Sequence, residues 1–117
     1  MDYSIAIVED NAVLGKYLLE ALGGDFNADY YDSPAKFLED DGLGKGYNCI
    51  VLDKDMPEMT GVELAMMIRE KCDDSTKIYI ITGDPDDAIQ DAIKGNYVNG
   101  FLPKPFRKKD ILDLIQF

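Results

Sequence analysis

The chain contains no histidine, and among its 117 residues there are only two cysteines, Cys49 and Cys72. Without histidine the commonest general base is missing, and no phosphohistidine can form on this chain. A phosphoryl group could be accepted from a histidine but not presented on one. Cys49 sits in an apolar segment and Cys72 near a predicted helix end, with no CxxC spacing. Incidental thiols fit this pattern better than a disulfide or a zinc site. No apolar run approaches the roughly 18 to 20 residues that a membrane span needs. The opening stretch MDYSIAIVED lacks the basic flank and cleavage site of a signal peptide, so the expected location is cytoplasmic, with no membrane partner.

Positive charge is also scarce. Twelve Lys and Arg face 23 Asp and Glu, for a net charge of −11. Such a surface repels nucleic acid phosphates and anionic lipid, so direct binding to nucleic acid is not expected. The one basic cluster, KPFRKKD, gathers Lys104, Arg107, Lys108 and Lys109. It reads as the start of a helix, with partner docking as the alternative. No internal repeat, low-complexity tract or Pro/Gly/Ser linker divides the chain, and its length suits a single domain, 1–117.

What the sequence does have is alternation. Apolar segments at 3–8, 27–31, 48–53, 77–82 and 99–102 predict strands β1 to β5. Between them, helical patterns at 11–22, 34–40, 60–71, 86–94 and 107–116 predict α1 to α5. In α1, Val13, Leu14, Tyr17, Leu18, Ala21 and Leu22 make one apolar face, and Gly23-Gly24 ends the helix. Ser33-Pro34 reads as cap and first-turn proline for α2, and Asp84-Pro85 as the same pair for α4. Met56, Met59, Met66 and Met67 are expected to pack in turns and helices.

Strands alternating with helices imply right-handed crossovers and a parallel sheet covered on both faces. The runs CIVLD and IYIIT are continuously apolar, as doubly buried strands should be, whereas NADYY is more polar and suits an edge. The expected fold is α/β and flavodoxin-like, (βα)5, with strand order 2-1-3-4-5. Its crevice lies at the carboxyl ends of the strands, beside β1 and β3.

Those ends carry the chemistry. β1 closes on Glu9-Asp10, β3 on Asp53-Lys54-Asp55, β4 on Thr82-Gly83-Asp84, and β5 leads to Lys104-Pro105. Carboxylates gathered in one crevice repel each other unless a cation compensates them. Oxygen donors without His or Cys point to Mg2+, or Mn2+ in its place, rather than zinc. A carboxylate beside a cation, an ammonium and a hydroxyl is equipped for phosphoryl transfer. Asp53 is placed to become an aspartyl phosphate. Taken singly, the same residues have plainer readings: Asp10 as a helix cap, Thr82 as a strand-end threonine, Lys104 as a surface lysine, Phe101 as packing.

In this order and spacing, Glu9-Asp10, Asp53, Thr82 and Lys104-Pro105 resemble the receiver domain of two-component response regulators, along essentially the whole chain. The resemblance implies Asp53 as phosphoacceptor and a metal site of Asp10, Glu9 acting largely through water, Asp53 and the backbone carbonyl of Asp55. It implies Thr82 as a switch hydroxyl, Lys104 as the partner of a phosphoryl oxygen, a cis Lys104-Pro105 bond, and Phe101 as an aromatic switch. The implied donor is a sensor histidine kinase or a histidine phosphotransfer protein. The implied output is an effector, or an output domain, reached through the α4-β5-α5 surface; a phosphorylation-dependent homodimer is a further expectation. Asp55, Gly83 and Asp84 occupy positions that tune phosphoryl lifetime in that family. Glu9 stands where Asp is more usual, Gly83 where Ala or Ser is common, and Tyr97 where a glycine often precedes β5. Two rivals share parts of the pattern: a small phosphatase of the haloacid-dehalogenase type, and a pseudo-receiver that binds without chemistry. The first places its nucleophile on the first strand, whereas here the acid pair comes first and Asp53 follows on the third.

Overall fold

The computed structural model describes residues 3–115. Five parallel strands run in the order β2-β1-β3-β4-β5: Ser4–Val8, Asn27–Tyr31, Cys49–Asp53, Lys77–Thr82 and Gly100–Pro103. They alternate with helices Ala12–Gly23, Pro34–Glu39, Gly61–Lys71, Asp87–Lys94 and Lys108–Ile115. The predicted boundaries shift by a residue or so at several ends, and residue 116, included in the fifth helix by the sequence pattern, lies outside the described residues.

Alternation along each strand divides the core in two. Ala6, Val8, Ile50, Leu52, Ile78 and Ile80 face α2, α3 and α4, where Phe37, Leu64, Ala65, Ile68, Ile89 and Ala92 meet them. Ile5, Ile7, Cys49, Val51, Tyr79 and Ile81 face α1 and α5, packing on Leu18, Leu22, Ile111 and Ile115. All five residues of β3 are buried. Each large aliphatic side chain in such a strand contributes about 1.5–3 kcal/mol relative to exposure. The polar β2 lies at an edge, as its composition predicts.

Helix starts follow capping chemistry. Ser33 caps α2, accepting from Lys36 N, with Pro34 in the first turn. Thr60 and Glu63 cap α3 reciprocally, each side chain accepting from the other's backbone N–H. Asn11 caps α1, accepting from Val13 and Leu14 N, so Asp10 is left free of that task. The predicted Asp84-Pro85 cap of α4 is corrected: Asp86 is the cap, accepting from Ile89 N. The backbone of Asp84 is still turning there, held by the Thr82 side chain.

Two apolar expectations also change. In α1, Leu18, Ala21 and Leu22 are buried, but Val13 is 81% exposed and Tyr17 42%. The sheet takes the row through Leu14, Leu18 and Leu22. The neighbouring row turns outward, where the Tyr17 ring lies 6.4 Å from that of Phe106. Met56 and Met59 pack on the core, whereas Met66 and Met67 stand exposed on the far side of α3.

Candidate functional site

The carboxyl ends of β1, β3, β4 and β5 surround a cleft of about 300 Å3 lined by Glu9, Asp10, Asp53, Lys54, Asp55, Thr82, Gly83 and Lys104, among others. Register brings them together. Val8 pairs with Leu52, so the acids that follow each strand meet, and Asp53 pairs with Ile81, one residue before Thr82.

Asp53 is buried at the end of β3 and receives a hydrogen bond from Lys104 Nζ, 3.2 Å from Oδ1. Burial raises its pKa, and the Lys104 ammonium opposes that rise. The Lys104-Pro105 bond is cis, as the resemblance implies. The backbone around Asp53 is fixed from the other side by α3. Gly61 N donates to Lys54 O at 2.8 Å, and a Cβ on Gly61 would lie 2.4 Å from Asp53 O.

Glu9 is 1% exposed, and its Oε1 is the one buried side-chain polar atom among the described residues without a hydrogen-bond partner. Its Oε2 accepts from Asn11 N. Burial, and next the negative charge of Asp53, push the Glu9 carboxyl up to about 8 against that hydrogen bond. Carboxylate oxygens of Glu9, Asp10 and Asp53 lie within 4.8 Å of one another. Three clustered carboxyl groups, one of which keeps a buried oxygen without a partner, are a donor set that suits a hard divalent cation. Asp55 is exposed on the same rim, outside that three-carboxylate cluster.

Glu9 is also held through its backbone. Its N–H donates to Tyr31 O at 3.1 Å, and its carbonyl accepts from the Tyr30 hydroxyl at 2.8 Å. That tyrosine crosses α1 at Gly15, where any Cβ would lie 2.2 Å from the ring.

Thr82 is buried beside the cleft, but its hydroxyl is occupied within its own loop. It donates to Asp84 O at 2.9 Å and accepts from Asp84 N at 2.8 Å. Gly83 is exposed, with room for a side chain: a Cβ there would meet only Lys104 Cβ, at 3.8 Å. Phe101 is half-buried against the α2-α3-α4 side of the core, opposite Ile80 in register.

Sequence reasoning assigned no role to Lys54 or Asp86. Lys54 Nζ lies 3.0 Å from Asp86 Oδ2 and 3.6 Å from Asp84 Oδ2, and the ammonium holds the Asp86 carboxyl below its usual range. The available signal was a lysine directly after a buried strand, facing the acid-rich loop DPDD after the next one.

The family model for the response regulator receiver domain matches residues 5–116. The chain belongs to that family. It is a receiver domain of two-component signalling, and its acidic pocket of Glu9, Asp10 and Asp53 is consistent with a phosphoacceptor site. The response regulator TodT of Pseudomonas putida is 32% identical over 111 residues, covering 92% of this chain and 47% of the relative. The receiver thus spans about half the length of that curated relative. Among solved structures, the beryllofluoride-activated receiver domain of DrrB, a Thermotoga maritima response regulator, superposes with a TM-score of 0.84 at 25% identity, over 99% of this chain and 96% of that one. The chemotaxis protein CheY4 of Vibrio cholerae shares the fold, with a TM-score of 0.86 at 20% identity, over 99% of this chain and 98% of that one. Among the described residues no helix is long and apolar enough to cross a membrane.

Proposed function

We propose that this receiver accepts a phosphoryl group on Asp53 from a phosphohistidine of a sensor kinase or phosphotransfer protein. A carboxylate oxygen of Asp53 attacks phosphorus in line. The P–N bond to the donor imidazole breaks, its electron pair stays on the imidazole nitrogen, and the product is an acyl phosphate. Hydrolysis reverses the gain: water attacks phosphorus, the acyl P–O bond breaks, and carboxylate and inorganic phosphate remain.

Lys104 supports this role because its ammonium already stands 3.2 Å from the attacking carboxylate, where it can neutralise a phosphoryl oxygen. Asp10, Asp53, Glu9 through water and the Asp55 carbonyl would hold Mg2+, which supplies charge compensation to the phosphoryl oxygens when bound. The Thr82 hydroxyl, released from Asp84, donates to a third oxygen. Its departure leaves space for Phe101, and the α4-β5-α5 surface changes for an effector. Phosphorylation therefore acts as a population shift between two packings. The chemistry serves signalling, with self-catalysed transfer and hydrolysis as its only turnover.

The observation carrying this reading is a buried carboxylate, Asp53, that contacts a lysine and clusters with the carboxylates of Glu9 and Asp10, the first of which has an unpartnered oxygen. Intact mass after incubation with phosphoramidate and Mg2+ tests it. One added phosphoryl group is expected, lost on chelation and in Asp53→Asn; equal labelling of Asp53→Asn would refute it.

A further inference from the structure

The Lys54 side chain is 17% exposed and lies across the loop that follows β4. Its backbone is anchored at both ends, its N–H donating to Ile81 O at 3.0 Å and its carbonyl accepting from Gly61 N at 2.8 Å. From this fixed base the ammonium reaches two carboxylates of the 83–86 loop, Asp86 at 3.0 Å and Asp84 at 3.6 Å.

That loop also holds Thr82. The Asp84 carbonyl accepts from the Thr82 hydroxyl at 2.9 Å and from Asp86 N at 2.8 Å, so both its lone-pair directions are used. The Asp84 N–H returns a bond to Thr82 Oγ1 at 2.8 Å. Asp86, meanwhile, caps α4 through Oδ1 and meets Lys54 through Oδ2. Turning the threonine hydroxyl toward the cleft requires the Asp84 carbonyl to give up its bond. That carbonyl is tied to Asp86, and both acids are tied to Lys54.

We propose that Lys54, with Asp84 and Asp86, forms an inter-loop latch that holds Thr82 in its loop-bonded arrangement and ties the start of α4 to the residue beside the phosphoacceptor. The inference rests on the reading of Asp53 as that acceptor. Lys54 is then a positioning residue. It acts through Thr82 and raises the cost of the arrangement that grips a phosphoryl group.

A through-space role for Lys54 predicts something different. As a free cation beside the cleft it would attract an incoming anion, so its removal would weaken anion binding, whereas removal of Asp86 would strengthen it. The latch predicts one sign for both, since either substitution frees the loop. Lys54→Met keeps the packed stem, and Asp86→Asn keeps a good helix cap.

The test is titration of the whole chain with beryllofluoride at saturating Mg2+, read from the backbone amide signals of Thr82 and Gly83. Because both ion pairs are partly exposed, the expected gain is modest. Lys54→Met and Asp86→Asn should each tighten beryllofluoride binding about threefold, the double variant should add nothing further, and Lys54→Arg should restore the native affinity. In both single variants the free-state signal of Thr82 should move toward its bound position. Weaker binding by Lys54→Met, opposite signs in the two variants, or no change in either would overturn the latch while leaving the phosphoacceptor reading intact. Absence of any native response would remove that reading and the latch with it.

Discussion

At the scale of single residues the cleft is built from groups placed against their solvation preference. Glu9 is the sharpest case, a carboxyl that burial pushes up from 4.5 to about 8. Without a cation, the folded protein binds this proton more tightly than the unfolded chain does. Unfolding releases it, and the resulting stability is present below about pH 4.5 and lost as pH rises through about 8. In chelator, the melting temperature should therefore fall across that interval, and Glu9→Gln should flatten the slope; an unchanged slope would show that Glu9 is not buried as a neutral acid. Asp55 makes a gentler prediction. Asp55 is exposed on the rim, and its charge opposes small anionic donors such as acetyl phosphate. Across roughly 8 Å of solvent such a repulsion is about 0.5 kcal/mol, so Asp55→Asn should label about twice as fast in a mass-resolved time course.

Elements explain why these residues meet. Parallel register puts the strand ends side by side, and α3 then braces β3 through Gly61, which leaves no space for a side chain against Asp53 O. Gly61→Ala must displace backbone beside the acceptor. The expected cost is about 1–3 kcal/mol in denaturant unfolding, with slower phosphorylation as well. A neutral outcome in both assays would mean that the close approach of α3 is dispensable. Much of this level was legible in the sequence, because period-2 and period-3.6 patterns, Ser33-Pro34, Gly23-Gly24 and the polar character of NADYY each have a direct physical meaning. The misreadings have physical causes too. Val13 and Tyr17 share an apolar face with Leu14 and Leu18 on a helical wheel, and only the sheet's position decides which row is buried. Asp84-Pro85 looks like a cap, but a threonine two residues earlier captures the Asp84 backbone and delays the helix to Asp87. Lys54 escaped notice because its partners lie on another loop, beyond the reach of local spacing.

For the whole molecule, the balance is between an acidic chain and a site that gathers further acid. The resemblance singled out Glu9, Asp10, Asp53, Thr82 and Lys104, and the structure brings all five to one cleft. Their side-chain partners were not legible, since the Thr82 bond to Asp84 and the orphaned Glu9 oxygen depend on the fold. A bound divalent cation relieves the crowding only in the folded state. Mg2+ several-fold above its Kd should thus add about 1 kcal/mol of stability, by mass action. The melting temperature should rise in millimolar Mg2+ and not in Asp10→Asn; no rise in the native chain would argue against a metal site. The central claim, that Asp53 alone becomes the acyl phosphate, is most directly tested by trapping. Borohydride reduces an aspartyl phosphate to homoserine, and peptide mapping after treatment with phosphodonor and Mg2+ locates it. Homoserine at position 53 and at no other acid is the predicted result; homoserine at Asp10, Asp55 or Asp84, with position 53 unmodified, would contradict it.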